Sequence, residues 1–196
     1  MSRRPVIGIL GGSFNPVHAG HIMLADYLAQ FSGAVDEVWL MLSPLNPIKE
    51  NPGALIADSH RLAMLRIATS ATPGLRVCDI ELSMPRPSYT INSLERLRVT
   101  HPDCDFRLII GSDNWLVIDR WRDSERIITD YAPIVYPRPD YDTDATAMRG
   151  NAILVKAPTV DISSTFIRDA IAAGHNMNSF LPHGVMDYIN EHNLYR

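Results

Sequence analysis

The sequence predicts an α/β protein built on a doubly wound, mostly parallel sheet in a single domain. Two observations carry that expectation. Short apolar runs rich in β-branched residues recur along the chain, separated by stretches whose apolar residues fall at helical spacing. The first of these runs closes on a glycine pair and leads at once into a helical pattern, the opening of a βαβ unit.

Each element follows in order. "PVIGIL" (5 to 10) is short, apolar and stopped by Gly11 and Gly12, which reads as a buried strand ending in a turn. In "HAGHIMLADYLAQF" (18 to 31), Ile22, Ala25, Leu28 and Ala29 share a helical face. "EVWLML" (37 to 42) is the second strand. A helix over 59 to 71, a strand over 75 to 82, a helix over 89 to 101 and a strand over 106 to 111 repeat the alternation. A helical stretch within 112 to 131 follows, then strands at 132 to 137 and 152 to 157 and helices at 163 to 173 and 183 to 192. The polar segment 138 to 151 reads as an exposed loop.

Composition narrows the function classes. At 196 residues and 46% hydrophobic the chain has enough apolar material for one sizeable core. Eighteen Lys and Arg against 22 Asp and Glu, a net charge of -4 with no long run of either sign, give no electrostatic footprint for gripping a nucleic acid. A small diffusible partner is the better expectation, and a homo-oligomer is compatible with the sequence without being specified by it. Cys78 and Cys104 have no ligand-like spacing, and the N-terminal apolar run is too short for a signal peptide or a membrane span. The expectation is a cytoplasmic protein with reduced thiols.

The chemistry concentrates after the first strand. In an open α/β sheet ligands settle at the carboxyl ends of the strands, and the turn holding Gly11 and Gly12 faces that crevice. Glycines let a phosphate approach the backbone, while the next helix supplies unpaired N–H groups and the positive end of its dipole. His18 and His21, three apart, share one face at the helix start and can each give an N–H to a phosphate oxygen. A packing turn beside an ordinary histidine explains many such sites, and a metal pair is a further alternative, although no third ligand has convincing spacing. Neither GxGxxG nor GxxxxGK[ST] occurs, so dinucleotide redox binding and a P-loop have no support.

The string "GGSFNPVHAGH" (11 to 21) resembles the signature GG[ST]F[DN]PxHxGH of bacterial nicotinate-nucleotide adenylyltransferases, within the HxGH nucleotidylyltransferase superfamily, and "ISSTFIR" (162 to 168) resembles its second signature. The stretches "RPSYT" (86 to 90), "IIGSDNW" (109 to 115), "RW" (120 to 121), "YPRP" (136 to 139) and "LPHGVMDYINEHNLYR" (181 to 196) are similar to recurrent stretches of the same family. One departure stands out: where the family shows a PPHK-like stretch this chain reads "SPLNPIKE" (43 to 50), which keeps Lys49 but has Ile48 in place of the histidine.

The resemblance implies a Rossmann-like fold over residues 1–196 as one nucleotidylyltransferase domain, and transfer of the adenylyl group of ATP to nicotinate mononucleotide. It places Gly11, Gly12, Ser13, Phe14, His18 and His21 from the first signature, and Ser163, Ser164, Thr165 and Arg168 from the second, around ATP. His18, His21, Lys49 and Arg168 are the expected catalytic donors and cations. Asn15, Thr90, Asp113 and Trp121 are the expected contacts to the mononucleotide, with Trp121 stacking on the pyridine ring. Mg²⁺ is expected to arrive with ATP, and no metal site of the protein's own is expected. Trp115 reads as a core aromatic. A phosphopantetheine or nicotinamide mononucleotide acceptor, and a nucleotide-binding module without catalysis, remain alternatives; a tRNA-charging enzyme would need a basic surface that the chain does not offer.

Overall fold

The computed structural model describes residues 3–44, 55–141 and 143–196. β1 (Val6–Gly12) lies inside the sheet, hydrogen-bonded to β2 (Glu37–Leu42) on one side and β4 (Asp105–Gly111) on the other. β3 (Leu75–Cys78) continues beyond β2, and β5 (Ile134–Tyr136) and β6 (Ile153–Leu154) continue beyond β4, giving the order β3-β2-β1-β4-β5-β6. Every pairing is parallel, so the sheet is wholly rather than mostly parallel among the described residues.

Strands buried on both faces need apolar residues at successive positions, and the pleat sends alternate ones to opposite sides. Ile7, Ile9, Trp39, Met41, Phe106, Leu108 and Ile110 belong to one core cluster, which the buried residues of α3 (Thr90–Thr100) and α5 (Ser124–Asp130) complete. Leu10, Val38, Leu40, Leu42 and Ile109 belong to the other, beneath α1 (Ala19–Phe31), α2 (Asp58–Thr69), α6 (Ser164–Ala172) and α7 (Val185–Glu191). This two-sided cover is the doubly wound architecture that the sequence predicts.

Three local expectations are revised. The strand expected over 75 to 82 ends at Cys78 and gives way to a 3-10 turn at Ile80–Ser83, because the Glu81 carboxylate turns inward to accept the hydroxyls of Ser88 (2.9 Å) and Ser93 (2.6 Å). The helical stretch within 112 to 131 is broken into α4 (Ser112–Trp115), a 3-10 turn at Ile118–Arg120, and α5, which starts after Asp123 takes up a left-handed conformation with φ of 53°. The strands at 132 to 137 and 152 to 157 shorten to β5 and β6. The 138–151 segment is largely exposed, as expected, and its 3-10 turn at Ala145–Ala147 is capped by Asp144.

Connections run one way from β1 and the other way from β4, so the crevice between those neighbours is the topological switch point where open α/β sheets take ligands. The carboxyl ends there are Gly12 and Gly111, and α4 begins at the residue after Gly111.

Candidate active site

The turn leaving β1 is built around one ring. Phe14 adopts φ of 43° and its side chain enters the core at 2% exposure, lying directly against Gly12. A Cβ at Gly12 would sit 3.0 Å from Phe14 Cζ, so glycine is needed to seat the ring. Phe14 therefore shapes the turn from beneath.

His18 is the N-cap of α1 in an extended conformation, and its backbone N–H donates to His21 Nδ1 at 3.2 Å. With Nδ1 accepting, the His21 ring carries its proton on Nε2. The two imidazoles stack with centroids 3.7 Å apart, and the edge of Phe14 meets His21 at 5.0 Å. A Cβ at Gly20 would lie 3.2 Å from His18 Nδ1, which explains the glycine between the histidines: it leaves room for His18 to fold back over the turn. Burial, reinforced by the Arg138 guanidinium, lowers the His18 pKa to about 4. His18 is consequently a neutral ring at physiological pH, able to donate one N–H without carrying charge.

The second signature meets the first in space. Ser163 caps α6 by accepting the Phe166 N–H at 3.1 Å, Ser164 Oγ donates to the Pro16 carbonyl at 2.9 Å, and Arg168 donates to the Asn15 carbonyl at 2.8 Å and to Thr165 Oγ1 at 3.2 Å. The N-terminal turn of a helix and a guanidinium are thus fixed against the glycine turn, a combination suited to phosphate.

Of the residues the resemblance assigns to the mononucleotide, Thr90 is the first residue of α3, whose N-cap Tyr89 provides no side-chain cap. The Arg122 guanidinium lies 5.0 Å from the Tyr89 ring centre, which brings the 121–122 segment against the 89–90 segment. Trp121 packs half-buried on the same core cluster as Tyr89. Asp113, in α4 just past β4, has Oδ1 3.7 Å from Arg138 Nε. Trp115 is in the core, as the sequence suggests, its indole N–H donating to the Ala147 carbonyl at 3.2 Å. Lys49 and Ile48 fall outside the described residues.

Buried polar atoms normally have partners, and each one left without costs about 1–3 kcal/mol. Among the described residues the side-chain atoms in that condition are His18 Nδ1, Asp113 Oδ1, Trp121 Nε1 and Thr143 Oγ1. Three of the four belong to residues singled out from sequence as ligand contacts.

Sequence reasoning missed three residues that hold this arrangement. Tyr195 donates to Asn15 Oδ1 at 2.9 Å, and burial raises its pKa so that it stays a donor. Arg138 links His18 electrostatically to Asp113. Arg61, fully buried, donates to the Ser13 carbonyl at 2.6 Å. Tyr195 and Arg138 lie in stretches whose family resemblance was legible without a role; Arg61 carried no signal, since a lone arginine in an amphipathic helix reads as solvated surface.

A parallel sheet in this order, with a glycine turn, paired imidazoles and a helix start bearing arginine at its switch point, is a doubly wound α/β protein whose crevice is suited to phosphate groups. The cytidylyltransferase-like family model matches residues 9–170. A Bacteroides fragilis protein named "Probable nicotinate-nucleotide adenylyltransferase" is 48% identical over 174 residues, covering 89% of this chain and 86% of its own. A Bacteroides thetaiotaomicron protein of the same name is 46% identical, covering 94% and 91%. The solved structure of Plasmodium falciparum nicotinic acid mononucleotide adenylyltransferase complexed with NaAD superposes with a TM-score of 0.78 at 23% identity over 97% of both chains, a likeness of fold. The chain belongs to the cytidylyltransferase-like family and, within it, to the nicotinate-nucleotide adenylyltransferases. No helix among the described residues is long and apolar enough to cross a membrane.

Proposed function

We propose that residues 1–196 act as one domain that transfers the adenylyl group of ATP to the phosphate of nicotinate mononucleotide, giving deamido-NAD and pyrophosphate in cytoplasmic NAD synthesis. The observation that carries this reading is the meeting of the two signatures in space, with Ser164 and Arg168 bonded to the Pro16 and Asn15 carbonyls just before the paired imidazoles of His18 and His21.

In the reaction a phosphate oxygen of the mononucleotide bonds to the α-phosphorus, the bond from that phosphorus to the bridging oxygen breaks, and pyrophosphate leaves with the electron pair. A phosphate monoester is already ionised at neutral pH, so no general base is required. Alignment and stabilisation of the moving charge are what the protein must supply. The neutral imidazoles of His18 and His21 give N–H groups to the triphosphate without competing for its protons. The backbone of Gly11, Gly12, Ser13 and Phe14 approaches it closely. Arg168, with two bonds to Asn15 and Thr165 fixing its plane, turns its remaining N–H groups to the leaving oxygens, supported by the first turn of α6 at Ser163, Ser164 and Thr165. Lys49 adds a point charge.

Among the described residues no group of three or more His, Cys, Asp or Glu could hold a metal ion. The nitrogen donors at the turn match phosphate rather than a hard cation, so a Mg²⁺ accompanying ATP would be carried by the nucleotide and would supply further charge neutralisation beside His18, His21 and Arg168. For the acceptor, Trp121 stacks on the pyridine, Asp113 accepts a ribose hydroxyl, and Asn15 and Thr90 address the mononucleotide.

The test is pyrophosphate release by the purified protein given ATP, Mg²⁺ and either nicotinate or nicotinamide mononucleotide at limiting concentration. The uncapped start of α3 aims N–H groups and a positive dipole end past Thr90, which favours a carboxylate; a site built for one functional group can reject its analogue by up to ~10⁴-fold. Preference for nicotinate mononucleotide is expected. Release with neither acceptor refutes adenylyl transfer, and equal use of both refutes only the carboxylate-selective pocket.

A further inference from the structure

The geometry points to Arg61 and Asp58 as positioning residues that tie the ATP loop to the acceptor loop, with Arg86 as the far end of the tie. The inference rests on the adenylyl-transfer reading above.

Arg61 has 0% exposure, and a guanidinium so placed is tolerable only if all five of its N–H groups find acceptors. They do. Nε donates to the Ile56 carbonyl (3.2 Å), Nη1 to the carbonyls of Ser13 (2.6 Å) and Ser43 (2.9 Å), and Nη2 to the Pro44 carbonyl (3.4 Å) and to Asp58 Oδ1. One rigid planar group therefore holds the backbone after β1, where Ser13 belongs to the triphosphate turn, and the backbone after β2.

Asp58 extends this hold. Its first oxygen meets Arg61, and its second accepts from Arg86 Nη2 at 2.7 Å. Arg86 opens the "RPSYT" stretch that leads to Thr90, and Ser88 within that stretch is pinned from the other side by Glu81. The carboxylate of Asp58 thus bridges a fully buried cation fixed to the ATP turn and a half-exposed cation fixed to the acceptor loop, 51% exposed at its side chain. Neither arginine need touch a substrate for this to matter. In-line attack requires the acceptor phosphate and the α-phosphorus to be held at near-contact distance, and a displacement of about 1 Å can cost on the order of 10²-fold in rate.

The experiment uses full-length wild type, Arg86→Gln, Arg86→Lys, Asp58→Asn and the double variant Asp58→Asn/Arg86→Gln, with KM for each substrate, kcat and thermal midpoint measured for all. The proposal requires that Arg86→Gln raise KM for nicotinate mononucleotide roughly tenfold and lower kcat while KM for ATP stays within about twofold, because the tie places the acceptor. It requires Arg86→Lys to restore most of the loss, and the double variant to be no worse than the more impaired single variant, since the Asp58–Arg86 bond is lost in both and only Asp58→Asn also touches Arg61. Unchanged kinetics in Arg86→Gln, equal shifts in both KM values, or additive losses in the double variant would overturn it. If Asp58→Asn fails to fold, the comparison of Arg86→Gln with Arg86→Lys decides alone. Wild type that releases no pyrophosphate refutes the adenylyl-transfer reading, and this proposal falls with it.

Discussion

Replacing His18 by Asn tests whether the buried imidazole is neutral by design of its surroundings. The ring is 6% exposed and its pKa falls from 6.5 to about 4, through burial first and the Arg138 charge second. Because the folded value lies below the unfolded one, the unfolded chain binds a proton at His18 before the folded chain does. Above pH 6.5 neither state is protonated there and the group contributes no pH dependence. As pH falls from about 6.5 towards 4, stability is lost, at 1.36 kcal/mol per unit of pKa difference, to a total of about 3 kcal/mol, most of it by pH 4.5. Asn retains an acceptor suited to the N-cap of α1 but cannot ionise. Urea denaturation of both proteins at pH 7.5 and pH 4.5 isolates the term: wild type should lose about 2–3 kcal/mol more than His18→Asn across that interval. Equal losses in the two proteins would mean that His18 titrates normally when folded, and the neutral-donor role would be refuted.

Removing a preorganised donor from a transition state that develops charge costs about 10²–10³-fold in kcat, and His21→Ala and Arg168→Ala should each show a loss of that order with circular dichroism unchanged. Arg168→Lys should recover only part, because the paired bonds to Asn15 and Thr165 need the guanidinium fork. Lys49→Ala should impair ATP kinetics while shifting stability by no more than about 0.5 kcal/mol; unchanged ATP kinetics would remove Lys49 from the chemistry. Trp121→Ala should raise KM for the mononucleotide and leave KM for ATP unaffected, whereas Trp121→Phe should keep most of the stacking.

Part of what was legible in the sequence is what local physics dictates, and part is resemblance. A strand buried on both faces must be apolar throughout and a tight turn needs its glycines, whereas the two signatures could be read because each is one unbroken stretch that resembles a family pattern. What escaped depended on distant segments meeting. Glu81 sits in "LRVCDIEL", which reads as a strand by alternation, and only the approach of Ser88 and Ser93 turns its carboxylate inward and ends β3 at Cys78. Tyr195 reaches Asn15 across nearly the whole chain. The break between α4 and α5 is tertiary as well: Asp123 takes a left-handed conformation that no local pattern announces.

The electrostatics of the crevice follow from what the substrates already bring. ATP and a mononucleotide are both anionic, so bringing them together requires positive potential, yet a cation on the histidines could protonate and blunt the attacking phosphate. The structure separates these tasks. Arg138 stands near His18 and within 3.7 Å of Asp113, so the same guanidinium that helps to keep the imidazole neutral is partly balanced by the carboxylate on the acceptor side. Arg168 and the start of α6 place fixed positive charge on the other wall, against the glycine turn. Neutral donors at the turn and cations at its margins form the division expected of a site that aligns two existing charges without abstracting a proton. It follows that loss of either margin cation should weaken substrate capture most at low salt, the difference from wild type shrinking as salt rises, whereas loss of an imidazole should lower turnover at every ionic strength.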